Sequence, residues 1–444
     1  MHPMPKRFYN FIGIAAVLVL AVGIYYLPPV HSRLAWRIDD LRTRIKYAFN
    51  PPDEAVFVPT QHVEATSTPS PVSSLAPTLP GPTQTPAPTI SPTDTLTPLP
   101  PSVVLRNIIY IDEHGRWNYC GPANLAMALT YWGWKGNRDD IAEIVKPGVD
   151  DSKLDFITRG KTDKNVMPYE LADYVQDYTN FNVTLRYGGE MELLKRLIAS
   201  GFPVIVEKGF YAKDYTGKMG WMGHYVFVTG YEDAQNGFIV QDALLVPGEN
   251  LLSPYSVFYE GWRSFDYLFM VIYPPGRDQE VFDLLGLWSD VTWSNQHALD
   301  IANVETQTLT GIDSFFAWFN KGTNHVRLQQ YVDAANAYDQ AFAINAQLGN
   351  DDKQRPYRMM WYQTGPYWAY FYTGRYQDVI GLADKTLYDT IDKPTLEESL
   401  YWRAMAEYAL GQYDVAYADL RQVVHLNKNF QAGIDRMKEW GISP

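Results

Sequence analysis

The chain holds a single cysteine, Cys120, and the residues around it are those of a nucleophile more than of a packed thiol. It sits in the run Asn118-Tyr119-Cys120-Gly121-Pro122-Ala123-Asn124-Leu125. Pro122 suits the first turn of a helix, where its missing N–H is not needed. Leu125, Leu129 and Trp132 then recur at helical spacing. The spacing predicts a helix that buries one apolar stripe and carries Cys120 at its N-terminus. Free backbone N–H groups and the positive dipole end there favour thiolate over thiol. A structural cysteine belongs on the stripe itself. One cysteine also excludes an intramolecular disulfide and a zinc site built on paired thiolates.

A thiolate needs a base, and between Val103 and Pro275 the sequence offers two histidines, His114 and His224. His224 opens Tyr225 to Tyr231, which reads as a strand. Asn236-Gly237 is a hairpin signal, and Phe238 to Asp242 returns. With the turn centred near Asp233, antiparallel pairing sets His224 opposite Asp242 at the open end of one hairpin. The carboxylate then fixes the imidazole tautomer and stabilises the imidazolium formed when His224 takes the thiol proton. The bland alternative is a surface histidine at a strand start. The aromatic segment Phe210 to Trp221 precedes His224, so Trp221 and Gly223 are candidates for one wall of a substrate cleft; a plain surface loop fits equally.

The ordered set of Cys120-Gly121-Pro122-Ala123, Gly223-His224-Tyr225-Val226 and Asp242 resembles the papain-like cysteine peptidases related to the bacteriocin-leader-processing (double-glycine) peptidases, in their soluble peptidase-like branch. The resemblance covers about Val104 to Pro275. It implies Cys120 as nucleophile, His224 as general base, Asp242 as orienting carboxylate, and cleavage of peptide bonds, often after small residues. No cofactor or metal is expected. It also implies a glutamine five or six residues before the cysteine, whose amide holds the oxyanion. Those positions are Gly115 and His114 here. The oxyanion is then left to the Cys120 N–H with His114 or Asn118 as substitute, and losing one donor costs on the order of 10²–10³ in rate. The alternative is accordingly a catalytically weak or inactive peptidase-like domain that binds peptides. Acyl transfer uses the same triad with a different acceptor.

The elements that must position these residues follow from periodicity. Pro168 to Asp177 and Glu190 to Ser200 read as helices, Val204 to Val206 and Tyr267 to Tyr273 as buried strands. A nucleophile on a helix and a base on a later sheet give an α+β, papain-like domain over 104–275. After Pro275 helical periodicity takes over, with three related sets: Tyr331/Ala334/Tyr338, Tyr376/Val379/Ala383 and Tyr413/Ala416/Leu420. Residues 276–444 therefore look like tetratricopeptide-like helical repeats. Such repeats bind an extended substrate or partner protein, or brace the peptidase domain.

Upstream, Phe8 to about Pro28 is long and apolar enough for a transmembrane anchor within residues 1–30. A juxtamembrane amphipathic segment is expected over 31–56 and a disordered Pro/Thr/Ser-rich linker over 57–103. A stalk of that composition places the globular part outside the cytoplasm in a single-pass protein, although Arg33, Arg37, Arg42, Arg44 and Lys46 bias the charge the other way. The net charge of −13 argues against a nucleic-acid partner, which needs a basic face. No Gly-rich phosphate loop and no His-Glu-x-x-His occurs, so neither nucleotide hydrolysis nor a zinc peptidase is supported.

Overall fold

Alternation along the central strands sorts their apolar side chains onto two faces of one sheet. In β3 (Val204–Lys213) and β4 (Met219–Glu232), Ile205, Tyr225 and Phe227 join one core, while Val204, Val206, Val226 and Val228 join another. The computed structural model describes residues 56–60, 98–116, 118–154, 166–213, 219–349, 358–389 and 396–443, with a few isolated positions between them. Its sheet runs β2 (Asn182–Arg186), β7 (Phe269–Tyr273), β3, β4, β5 (Gly237–Gln241), β6 (Leu251–Pro254), every pair antiparallel. The edge strand β1 (Ser102–Val104) pairs with β4 at Gly230 to Glu232, beyond the last β3 partner at Val228.

Helices cover both faces. On one lie α1 (Cys120–Tyr131), α2 (Arg138–Val145) and α3 (Pro168–Tyr178); on the other lie α4 (Met191–Ala199), α5 (Tyr255–Arg263) and α6 (Asp278–Leu285). The expected apolar stripe on α1 is too modest: every residue from Cys120 to Leu129 is buried, because sheet and neighbouring helices enclose it. Val281 and Leu285 of α6 are fully buried in the second core. The sheet-bearing domain therefore runs past the boundary expected at residue 275.

The C-terminal region is helical: α7 (Val291–Thr308), α8 (Gly311–Arg327), α9 (Tyr331–Gln347), α10 (Gly365–Tyr372), α11 (Tyr376–Asp384), α12 (Glu397–Ala409), α13 (Tyr413–Leu426) and α14 (Gln431–Glu439). The three tyrosines picked out by spacing each open the second helix of a pair: α8–α9, α10–α11 and α12–α13. The turns before them hold Gln329, Gly374 and Gly411 at positive φ (60°, 74° and 78°). Ala334, Ala383 and Ala416 are fully buried where the helices meet.

Both ends of the expected linker are held. Phe57 is buried, its ring edge-on to Phe342 at 5.0 Å and near Tyr370 at 6.2 Å. Thr60 donates from N (2.9 Å) and Oγ1 (2.7 Å) to Asp378 Oδ1 on α11. At the other end, Tyr231 Oη donates to the Pro100 carbonyl (2.9 Å). Ordered structure thus begins before residue 104. Phe8 to Pro28, the juxtamembrane segment and residues 61–97 lie outside the described residues, apart from isolated positions. Among the described residues no helix is long and apolar enough to cross a membrane.

Candidate active site

Cys120 is the first residue of α1 and is only 6% exposed. The one amide side chain in this helix fixes its position. Asn124, one turn on, donates to the Cys120 carbonyl (2.8 Å) and to the Tyr225 carbonyl (3.0 Å). The start of α1 is thereby fastened to β4 at the residue after His224. The sequence carries a signal for this contact: a lone amide among the buried residues of a helix must find partners.

His224 lies well inside the fourteen-residue β4, not at a strand start as expected. It is 4% exposed, and its ring lies 5.3 Å from that of Phe210. Nε2 and Asp242 Oδ1 are hydrogen-bonded at 2.9 Å. Asp242 takes Nε2, which leaves Nδ1 as the free ring nitrogen, and Cys120 is close enough to act on the imidazole and raise its pKa. Burial pulls the imidazole pKa down, but the charge and hydrogen bond of Asp242, then Cys120, outweigh it and hold the pKa well above its ordinary value.

Asp242 follows the last residue of β5, and the register differs from expectation. Phe227 pairs with Gln241, so Asp242 extrapolates to a position opposite Val226, two residues from His224. The turn is centred between Ala234 and Gln235, since Glu232 pairs with Gly237, and Asn236 closes it with φ 54°. A bulge between Val228 and Gly230 takes back one residue of that offset. The two side chains meet as diagonal neighbours, within reach for polar groups. Oδ1 also accepts from Leu244 N (2.9 Å) and Leu245 N (3.2 Å). Burial would raise this carboxyl's pKa; His224 and the two amides instead bring it below the usual range.

The segment just before Cys120 is tied to the Asp242 loop. Tyr110 Oη donates to the Asp242 carbonyl (2.8 Å), Glu113 N to the Ala243 carbonyl (2.9 Å), and His114 Nε2 lies 2.9 Å from the Leu244 carbonyl. His114 is therefore engaged by that carbonyl, with its exposed ring beside Asp112. Asn118 adopts φ 51°, and its carbonyl accepts from Lys146 Nζ at 3.4 Å. The two cleft candidates lie under neighbouring side chains. Trp221 is 2% exposed and packs among Phe265, Phe316 and Tyr362. A Cβ on Gly223 would meet Phe265 at 2.5 Å and Tyr362 at 2.7 Å. Phe316 and Tyr362 belong to the helical region, which closes over this end of β3 and β4. Among the described residues no group of three or more His, Cys, Asp or Glu side chains is placed to hold a metal ion.

A helix-borne cysteine against a sheet-borne imidazole, in a mixed helix–sheet domain, defines the papain-like class of cysteine-peptidase fold. Residues 105–267 match the Peptidase_C39 like family, so this part of the chain is similar to C39-like peptidases. Similar solved structures include a C39-like peptidase from Bacillus anthracis, with 18% identity over 38% of this chain and 96% of that one (TM-score 0.30). Another is the peptidase domain of Streptococcus ComA, a bifunctional ABC transporter involved in a quorum-sensing pathway, with 17% identity over 35% and 92% (TM-score 0.25). A third is xylellain, a cysteine protease from Xylella fastidiosa, with 18% identity over 40% and 87% (TM-score 0.25). No curated protein matches the chain.

Proposed function

We propose that the chain is a cysteine peptidase in which Cys120, His224 and Asp242 act as a triad. The observation that carries this is the buried His224–Asp242 hydrogen bond, 2.9 Å long at Nε2, beside a helix-start cysteine that acts on the same imidazole. In the reaction the Cys120 sulfur attacks the peptide carbonyl carbon, a C–S bond forms, and the carbonyl π pair moves to oxygen. Collapse restores C=O and breaks C–N, and His224 gives its proton to the leaving amine. Water activated by His224 then hydrolyses the thioester and frees the sulfur. The chain is read as tethered by Phe8 to Pro28 with its body outside the cytoplasm, and its tetratricopeptide-like repeats as recruiting a protein substrate or partner.

A mixed-sequence peptide library incubated with the full chain tests this. Cleavage is expected for the native protein and its loss in Cys120→Ala and His224→Ala. Iodoacetamide should alkylate Cys120 in the native protein, and His224→Ala should slow that reaction. No cleavage together with alkylation indifferent to His224 removes the enzymatic reading. Cleavage absent while library peptides still bind favours a second reading, a peptide-binding domain, for which the near-complete burial of Cys120 and His224 speaks.

A further inference from the structure

Attack on a carbonyl creates an oxyanion, and the Cys120 N–H alone is one donor where two are usual. The polar groups around the triad are mostly committed: Asn124 to two carbonyls, His114 to Leu244. Glu113 is different. Its backbone N–H is fastened to the carbonyl of Ala243, next to Asp242. Its Oε2 is buried and has no hydrogen-bond partner. We propose that Glu113 is the second oxyanion donor, giving a carboxylic O–H hydrogen bond to the oxygen that becomes negative when Cys120 attacks.

The reasoning rests on the peptidase reading and adds its missing group. As a carboxylate, Glu113 would leave a buried anionic oxygen unpaired and near Asp242, an expensive state. As a neutral acid it has an O–H with no acceptor in the resting protein. The oxyanion supplies that acceptor only as the transition state forms, so the bond is made where it lowers the barrier. The proton stays on Glu113 throughout, and the hydrogen bond weakens again when C=O is restored. Burial is the main influence raising the Glu113 pKa, and Asp242 adds to it; His224, Lys146 and His114 act in the opposite direction, and the net shift is upward. These four residues face it from β4, the end of β5, the end of α2 and its own segment, and Tyr110 of that same segment also interacts with its charge.

The test compares the full-length protein with Glu113→Ala and Glu113→Gln using p-nitrophenyl acetate, whose acylation of Cys120 forms an oxyanion, and iodoacetamide, whose displacement forms none. Glu113→Ala should slow the acylation burst about 10²–10³-fold and leave the alkylation rate within about twofold. Glu113→Gln, whose amide can donate, should recover most of the burst. It should also lose the alkaline decline that deprotonation of Glu113 gives the native protein. A burst unchanged in both variants overturns the proposal. So does Glu113→Gln as slow as Glu113→Ala, since then the charge and not a donor is needed. If the native protein shows no Cys120-dependent burst, the peptidase reading fails separately. The infrared carbonyl band of a neutral carboxyl at pH 7 then decides: a band lost in Glu113→Gln supports a protonated Glu113, and its absence in the native protein overturns the assignment.

Discussion

A single carboxylate oxygen, Asp242 Oδ1, meets His224 Nε2 and the amides of Leu244 and Leu245. Both partners of the pair are shifted toward their charged forms, and the pH consequences have opposite sign. Because the His224 pKa is raised, its stabilisation is complete below about 6.5 and is lost as pH rises through the raised value. Because the Asp242 pKa is lowered, its stabilisation is complete above about 3.9 and is lost as pH falls through the lowered value. Asp242→Asn should reduce kcat/KM by roughly 10²–10⁴-fold and move the alkaline limb of the pH–rate profile to lower pH, as the imidazole loses its partner. An unchanged limb means that Asp242 does not set the His224 pKa. Gly248 supports the same carboxylate: Asp242 N donates to its carbonyl (2.8 Å), and a Cβ there would collide with the Asp242 carbonyl and Tyr110 Oη. Gly248→Ala should cost about 1–3 kcal/mol in denaturant melts, with a loss of kcat/KM larger than unfolding explains. Cys120, His224 and Asp242 were legible because type, order and local geometry coincide in them. Glu113 and Asn124 were not, since their significance lies in what they meet or fail to meet once buried.

Elements were read better as kinds than as boundaries. The helices expected at 168–177 and 190–200 are α3 and α4 within two residues of the expected limits. The strand expected at Val204 to Val206 extends to Lys213, because β4 pairs along it and lets its polar half continue. For Trp221 and Gly223 a cleft wall and a surface loop fit the sequence equally, because sequence cannot say which unit will claim an aromatic segment. In the helical region, Tyr spacing marked helix starts correctly, while the ionic contacts between helices were invisible. Arg403 of α12 bonds Asp384 (2.6 Å) and Asp419 (2.6 Å), and Glu407, one turn further, has its pKa pushed up to about 7 by burial and then by Asp419. The folded value lies above the ordinary one, so the native state holds this proton more tightly and loses stability as pH rises from about 4.3 to about 7. Thermal melts should therefore fall between pH 5 and pH 8 by an amount that Glu407→Gln removes. A slope that persists in the variant assigns the effect to another group.

At the scale of the whole molecule, the peptidase domain and the helical region share one core. Trp221 and Phe265 insert among Phe316 and Tyr362, Arg263 pairs with Glu305 (3.1 Å) and Asp313 (3.0 Å), and Arg327 pairs with the buried Asp266. Glu398 and Asn429 bond Tyr169 and the Ile144 carbonyl, so contacts also reach α2 and α3. The chain enters this body at Phe57 and Thr60, on the helical region, before it reaches β1. Residues 61–97 thus join two points of one body, and an N-terminal anchor would attach beside α11, not at the end of a stalk. A site-specific protease sequence inserted between residues 75 and 85 tests this. After cutting, the N-terminal fragment should co-elute with the body in gel filtration, and Phe57→Ala, which removes a contact worth about 3–5 kcal/mol, should release it. Separation of the uncapped native fragment would refute the docking.

What the sequence determined by itself is local: a cysteine at a helix N-terminus, an imidazole and a carboxylate on successive strands, a Pro/Thr-rich segment, and helical hairpins recurring with their tyrosines. Each depends on residue type and on spacings of a few positions, which backbone periodicity converts directly into geometry. Tertiary structure alone decided the two-residue register offset, the burial of Trp221 and Gly223 under the helical region, the docking of Phe57, and the unpaired oxygen of Glu113. These depend on which surfaces meet across long separations in the chain. Such contacts are chosen by the fit and desolvation of whole elements, quantities that no short window of sequence contains.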